Sequence, residues 1–201
     1  GPYRYTLASV MPVAGDNFAY VASYTTVKWF GNVESRTVDI STGVVSPQAT
    51  WCAENVSGNV ALGITDCTGT LQTQVSETSD SRTIHGFSNA SANKLRAFTW
   101  ANLTAAEQAT FIPSALTQWP TLSASQRANV TGTNFVNFLR GQFGFEDQDG
   151  NASDNRVFRD RERTLGDIVG SQPVYVKKPF FNYTDLGYAD YKSSNATRAA
   201  T

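Results

Sequence analysis

The chain has 201 residues, which is enough for one domain with its own hydrophobic core. Its 16 Lys and Arg residues nearly balance 17 Asp and Glu residues, and the net charge of −1 excludes the basic surface of a nucleic-acid binder. No apolar run approaches the roughly 20 residues that a membrane-spanning helix needs. We therefore expect a single domain over residues 1–201, with no membrane span. Gly1-Pro2 is typical of the scar left by tag removal, so the natural N-terminus is expected to be missing.

The first part of the chain has the composition of β-structure. Residues 18–24 are aromatic and β-branched, which predicts a strand. A second strand over residues 33–40 is followed by the turn residues Ser-Thr-Gly, so a hairpin is predicted from residue 28 to about residue 50. Further strands are predicted over residues 62–64, 71–75 and 81–87.

The chain contains two cysteines, Cys52 and Cys67, and lacks the further Cys and His residues that a zinc site would need. In an exported protein such a pair predicts a disulfide, which would stabilise the fold by about 3 kcal/mol on the chain-entropy model. The alternative is two unrelated buried thiols.

A helical insertion is predicted over residues 104–141. Thr104 with Glu107, and Ser123 with Gln126, have the spacing of capping boxes, in which the side chains satisfy unpaired amides at a helix start. The first helix should end before Pro113. Beyond them, the spacing of three apolar residues predicts a buried helical face that ends at a capping glycine. These residues are Phe135, Phe138, Leu139 and Gly141.

Residues 146–163 are polar and charged, which predicts an exposed loop. Within it, Asp147, Asp149 and Asn151 match the first three ligands of an oxygen-rich calcium loop. The match then fails, because Ala152 and Phe158 stand where the turn glycine and the bidentate glutamate belong. Calcium binding and a solvated acidic loop both remain open. Strand character returns over residues 165–176, and residues 193–201 are expected to form a disordered tail.

Catalytic motifs are absent from the sequence. His85 is the single histidine, and it lies in a predicted strand without the Gly-x-Ser-x-Gly elbow of a hydrolase triad. The sequence also lacks a phosphate-binding loop and a dinucleotide fingerprint. We therefore expect a protein that is not an enzyme, with His85 as an ordinary strand residue.

One motif, over residues 158–176, resembles a known family. Its arginine-rich stretch and the following Leu-Gly-Asp-Ile-Val-x-Ser-x-Pro-x-Tyr-Val are similar to the start of the C-terminal β-propeller of the PilC/PilY family of type IV pilus tip proteins. Supporting similarities are Leu-Arg-Gly at 139–141, Trp-Phe-Gly-Asn-Val at 29–33 and Ser-Arg-Thr-Ile at 81–84, and the resemblance covers residues 18–191. The motif residues expected to be structural are Arg163, Leu165, Gly166, Asp167, Ile168, Val169, Ser171 and Pro173.

The resemblance implies a mainly β fold, made of antiparallel strands of a partial β-propeller with the helical insertion at 104–141. It implies a non-catalytic module for type IV pilus biogenesis and surface adhesion. The expected partners are pilin or minor pilins and a host or abiotic surface, and the expected location is the bacterial cell surface, outer membrane or pilus tip after export. The family's own calcium loop is expected downstream of this chain, so calcium at 147–151 does not follow from the resemblance.

Two alternatives come from other classes. A quinoprotein-like enzyme would share the propeller architecture, and would need cofactor-stacking tryptophans and a calcium-linked aspartate. A lectin-like module would need exposed tryptophans, although tryptophans in β-domains usually lie in the core. The candidates for either role are Trp29, Trp51, Trp100 and Trp119.

An incomplete propeller would leave one strand edge without its neighbour. The resemblance places that edge at residues 174–176, Val-Tyr-Val, since the family's next strand would follow the end of this chain. We expect self-association through strand pairing there, or a tail that folds back to cover the edge.

Overall fold

The computed structural model describes residues 4–9, 17–25, 30–147, 155–168, 178–179 and 181–197. Among these residues, antiparallel sheets and short helices are mixed. The predicted antiparallel strands and helical insertion are both present. No helix in the described part of the chain is long and apolar enough to cross a membrane.

A four-stranded antiparallel sheet forms the N-terminal part. Its strands follow one another in chain order: β1 (Arg4–Ser9), β2 (Phe18–Thr25), β3 (Phe30–Val38) and β4 (Val45–Cys52). Their aromatic and β-branched residues suit a pleated, half-buried surface. The predicted strand at 18–24 and the predicted hairpin are therefore confirmed.

The hairpin turn between β3 and β4 is built around Asp39. Its Oδ1 accepts hydrogen bonds from the Ser41 hydroxyl at 2.6 Å and from the backbone N–H of Ser41 at 2.8 Å. These bonds, with a further one from the Thr42 N–H, lower the pKa of Asp39. Gly43 adopts a left-handed backbone with φ of 71°, which a residue with a Cβ rarely does.

The predicted disulfide is confirmed: Cys52 at the end of β4 is bonded to Cys67, with the two Cα atoms 6.3 Å apart. The strands predicted beside it are wrong. Val60–Leu62 is a 3₁₀ turn and Thr70–Gln74 is a short helix, α1. Leu and Gln favour a helix over a strand, and the N–H of Leu71 bonds to the carbonyl of Ala53 and not to a strand edge.

The helical insertion follows a small hairpin of β5 (His85–Phe87) and β6 (Leu95–Ala97), so the strand predicted over 81–87 is shorter than expected. The insertion contains α2 (Ala105–Gln108), α3 (Ala124–Ala128) and α4 (Gly132–Leu139). Further 3₁₀ turns lie at Trp100–Asn102, Pro113–Ala115 and Trp119–Thr121. Both predicted capping boxes are present with both of their hydrogen bonds, and α2 ends before Pro113.

Helix α4 packs onto the main apolar cluster, which is centred on Val130, Val157 and Phe158. The ring of Phe138 stacks on that of Phe158 with centroids 4.7 Å apart, and Phe135 lies 5.3 Å from the same ring. Leu139 is 57% exposed, so its predicted place on the buried face is wrong; Val136, fully buried, takes it. Gly141 follows α4 with φ of 105°, which fits its predicted capping role.

The prediction of an exposed loop over residues 146–163 is wrong for part of this range. Two short parallel strands, β7 (Glu146–Asp147) and β8 (Phe158–Arg159), pair across this segment. Glu146 and Phe158 are buried because the first forms an ion pair with Arg161 and the second fills the apolar cluster. Because most residues of this stretch are polar or charged, the sequence pattern did not predict that Glu146 and Phe158 are buried.

The described C-terminal residues include a further helix, α5 (Tyr188–Ser194), which reaches into the predicted disordered tail. Of the strand region predicted at 165–176, Gly166 forms an antiparallel bridge with Phe30 of β3. Residues 169–177 lie outside the described part, and with them the edge predicted at 174–176. Self-association there stays a prediction.

Candidate functional site: a polar cleft beside the arginine-rich segment

Residues 159–164, which we call the arginine-rich segment, separate two clefts. The larger, of about 350 Å³, is lined by this segment together with Phe30 and Gly166. The smaller, of about 230 Å³, shares residues 161–164 and adds Gln72, Gly141, Phe143 and Glu146. The segment is therefore the common wall of both clefts, and the contacts that position it determine their shape.

Arg161 anchors the middle of the segment. Its Nε donates to Oε1 of Glu146 at 2.5 Å, and its backbone N–H donates to Oε2 at 3.0 Å. The two terminal nitrogens donate to the carbonyls of Phe138 at 2.9 Å and Gln142 at 3.1 Å. The guanidinium also lies over the Phe138 ring, 3.9 Å from its centroid. Arg161 thus fastens the segment to the end of α4.

Glu146, the partner of Arg161, is 1% exposed. Burial raises the pKa of its carboxyl, and the charge and hydrogen bonds of Arg161 only partly oppose this effect. A carboxylate in this position depends on its arginine, since an unpaired buried charge is strongly unfavourable.

The following residues attach to the first sheet. The guanidinium of Arg163 lies over the ring of Phe30, 4.6 Å from its centroid. The N–H of Gly31 donates to the carbonyl of Leu165 at 3.3 Å. A Cβ on Gly31 would come within 2.7 Å of the Gly166 carbonyl oxygen, so glycine permits this close approach.

A buried carboxylate, Glu54, fixes the end of the segment. Its Oε1 accepts from the N–H of Leu165 and its Oε2 from the side-chain amide of Gln72, both at 2.7 Å. The side chain of Asn32 bonds to the backbone N–H and carbonyl of Glu54 at 2.8 and 3.2 Å. Strand β3, helix α1 and the arginine-rich segment therefore meet at Glu54, which is completely buried.

A second buried carboxylate, Asp80, joins the arginines of two supporting motifs. Arg82 Nε lies 2.8 Å from Oδ1, and a terminal nitrogen of Arg140 lies 2.9 Å from Oδ2. Arg140 also donates to the carbonyl of Phe98 at 2.8 Å. Burial acts to raise the pKa of Asp80, but the hydrogen bonds of Arg82 and the charges of both arginines outweigh it, so the pKa is lowered. Arg82 and Arg140 therefore have a structural role, since they link Asp80, Phe98 and the end of helix α4.

The motif residues that the structure describes differ in how many contacts they make and in how exposed they are. Arg163 and Leu165 make the contacts above, and Ile168 lies near Gly31. Gly166 has no left-handed backbone, and a Cβ there would meet open space, so neither the backbone conformation nor close packing requires a glycine at this position. Asp167 is exposed. Val169, Ser171 and Pro173 lie outside the described residues.

Calcium gains no support from the structure. Asp147 is exposed in β7, whereas Asp149 and Asn151 lie outside the described residues. Within the described ranges, no group of three or more His, Cys, Asp and Glu side chains could hold a metal ion.

The candidate aromatic and catalytic side chains do not converge. His85 is exposed in β5, and Trp51 is 40% exposed in β4. Trp100 packs edge-on against Phe111, and Trp119 carries the guanidinium of Arg127 at 5.1 Å. Trp29 lies outside the described residues. The tryptophans that are described thus form no common platform.

The sequence interpretation missed the buried carboxylates of Glu54, Asp80 and Glu146. For Asp80 a local pattern existed, because Arg82 is two residues away. The partners of Glu54 and Glu146 lie far along the chain, at separations of 111 and 15 residues. In chemical terms, the larger cleft offers the exposed Arg159 and the aromatic-supported Arg163 as cationic donors, beside Asp160 and Glu162. Such a surface suits polar recognition.

Fold and site together define a disulfide-bonded unit of mainly antiparallel sheets and short helices, in which buried ion pairs position a polar cleft. Over 95 residues, 47% of its length, the chain is 36% identical to the type IV pilus biogenesis factor PilY1 of Pseudomonas aeruginosa strain UCBPP-PA14. The chain spans a small part of that relative, since the match covers 7% of it. No protein-family profile matches the chain, and no solved structure matches it.

Proposed function

We propose that this chain is part of a type IV pilus biogenesis factor and that it acts there as a non-catalytic binding or assembly module. The observation that carries the proposal is the 36% identity to PilY1 over 95 residues. The role in pilus biogenesis that the name of this relative states is here extended to this chain.

The use of the motif arginines supports a structural module. Arg82, Arg140 and Arg161 lie in three segments that resemble the pilus family, and all three are engaged in ion pairs with buried carboxylates. Groups that are this fully committed to partners are poorly placed to act on a substrate. Among the described residues, nothing specific favours the quinoprotein-like or lectin-like alternatives.

The finer features of the proposal follow from the same resemblance. The sheet and its helical insertion would form the first blades of a β-propeller. The module would be exported to the cell surface or the pilus tip, where it would contact pilin or minor pilins and contribute to adhesion. The polar cleft beside Arg159 and Arg163 is the surface that we assign to such contacts.

The proposal is tested by deleting the encoding gene in its source bacterium and quantifying pilin sheared from the cell surface. We expect surface pilin to fall strongly while total cellular pilin stays unchanged, and to return when the gene is restored. A restored gene carrying Arg159→Glu tests the cleft, with Asp185→Lys as a control at an exposed residue that does not line the cleft. Wild-type levels of surface pilin in the deletion strain would overturn the proposal.

A further inference from the structure

The disulfide and the arginine-rich segment are linked by a short series of contacts. Cys52 is completely buried, and the backbone of Cys67 pairs with Val56 through hydrogen bonds of 2.8 and 2.9 Å. Glu54 lies between Cys52 and Val56, so the disulfide constrains the backbone on both sides of this carboxylate. The carboxylate itself accepts a hydrogen bond from Leu165, the residue directly after the arginine-rich segment.

The chain that leaves Cys67 closes on Glu54 from the other side. The N–H of Gly69 donates to the Asn55 side chain at 2.8 Å, and a Cβ on Gly69 would come within 2.5 Å of the Glu54 carbonyl carbon. The N–H of Leu71 then bonds to the carbonyl of Ala53 at 3.0 Å, which places Gln72 against the carboxylate. The contact of Gln72 with the Glu54 carboxylate therefore depends on how the two sides of the disulfide are held together.

We infer that the Cys52–Cys67 disulfide is a redox lock on the polar cleft, transmitted through Glu54 to Leu165. In the oxidised protein Glu54 is held in place and fixes the wall of the cleft. On reduction, a dithiol gives two electrons and two protons to the sulfurs of Cys52 and Cys67, the S–S bond breaks, and the dithiol closes to its own disulfide.

The physical reason is the cost of burying a carboxyl group without its partners. Reduction releases the loop between the cysteines, which gains conformational entropy when its ends separate. Movement of α1 would take the Gln72 amide away from Glu54. The carboxylate then gains most by turning towards water, and the N–H of Leu165 loses its acceptor. The cleft would consequently be ordered only after the chain has reached an oxidising compartment.

Amide hydrogen exchange on the purified chain tests this inference. We compare the oxidised protein, the protein reduced with a phosphine, and a Cys52→Ser/Cys67→Ser variant. In the phosphine-reduced protein and in the Ser/Ser variant, we expect amide exchange in residues 164–168 to accelerate at least tenfold. Helix α4 (Gly132–Leu139) should keep its protection in both. Glu54→Gln, which retains the shape of the side chain but weakens it as an acceptor, should accelerate the same segment in the oxidised protein.

The combined triple variant separates a lock from two independent effects. If Glu54 transmits the constraint, adding Glu54→Gln to the Ser/Ser protein produces little further acceleration at 164–168. Unchanged exchange there after reduction would overturn the inference, and so would an equal loss of protection in α4, which would indicate general unfolding. Both results concern the isolated chain and leave the proposed role in pilus biogenesis untouched.

Discussion

The backbone N–H of Leu165 donates to the buried carboxylate of Glu54 at 2.7 Å, although the two residues are 111 positions apart. This bond joins the end of the first sheet to the segment that resembles the pilus family. It also explains why the arginine-rich segment has a defined place beside β3. The same carboxylate bonds to Gln72, so one side chain serves three parts of the chain.

Glu54→Ala should therefore destabilise the protein. The substitution removes the buried acceptor of the half-buried Leu165 N–H and of the Gln72 side-chain amide, which costs about 1–3 kcal/mol. Denaturant unfolding gives the free energy directly. The control is Asp167→Ala, an exposed acidic residue close to Leu165, which should change stability by less than about 0.5 kcal/mol. Equal effects of the two substitutions would contradict the role of Glu54.

Arg161→Ala should destabilise the protein by about 3–5 kcal/mol at neutral pH, because it leaves the buried Glu146 charge without its partner. The folded pKa of Glu146 lies above its ordinary value of 4.5. The stability that this carboxyl contributes is thus present below pH 4.5 and is lost as the pH rises through the folded pKa. Without Arg161 that loss becomes larger.

Urea unfolding at a series of pH values measures this dependence. The difference between Arg161→Ala and the wild type should be largest at neutral pH and should shrink as the pH falls below about 4.5, where Glu146 is protonated in both states. Arg159→Ala is the matched control, because the same residue type two positions earlier is exposed. A difference that does not vary with pH would argue against the buried ion pair.

Asp80→Asn should have the opposite pH signature. The folded pKa of Asp80 lies below 3.8, so its contribution to stability is present above that pH and is lost as the pH falls through the folded pKa. We expect a cost of about 3–5 kcal/mol at neutral pH, since Arg82 and Arg140 lose their shared carboxylate. Acid titration of stability should be flatter in the variant.

Asp185→Asn, at an exposed residue, serves as the control for Asp80→Asn and should keep the acid dependence of the wild type. If Asp80→Asn unfolds with the same midpoint and the same acid dependence as wild type, Arg82 and Arg140 do not rely on this carboxylate.

Gly31→Ala should destabilise the protein by about 1–3 kcal/mol, because the added Cβ would lie 2.7 Å from the Gly166 carbonyl oxygen and 3.0 Å from that of Ser23. Both contacts are to backbone atoms, which cannot turn aside as a side chain can. Gly166→Ala on the facing segment meets open space and should be neutral or slightly stabilising. Thermal melting of both variants tests which of the two glycines the close approach requires. A destabilised Gly166→Ala together with a neutral Gly31→Ala would contradict the role given to Gly31.

Features encoded within a few residues were predictable from the sequence. The capping boxes at Thr104 and Ser123, and the turn after residue 38, depend on hydrogen bonds between near neighbours. The disulfide followed from an isolated cysteine pair. By contrast, residues 71–75 were predicted as a strand, because so short a segment carries too little periodicity to separate a strand from a helix. Contacts with Ala53 and Glu54 decide for the helix.

Of the candidate site, the sequence predicted the arginine-rich motif but neither its partners nor the cleft. The sequence singled out the arginine-rich stretch but gave no acceptor for Arg161, since Glu146 lies in a polar run that predicts an exposed loop. Burial of a charged residue depends on a partner that arrives through folding, and residue polarity carries no information about it. For the same reason the cleft between β3 and residues 159–166 could not be foreseen.

The central claim, that this chain serves type IV pilus biogenesis through a non-catalytic surface, is tested most directly by surface pilin in cells. A strain that lacks the encoding gene is complemented with the wild-type gene or with Arg159→Glu, a substitution of an exposed cleft residue that leaves the buried ion pairs intact. The account predicts that sheared pilin is lost on deletion, is restored by the wild type, and is reduced for Arg159→Glu at equal protein abundance. Undiminished surface pilin in the deletion strain would contradict it.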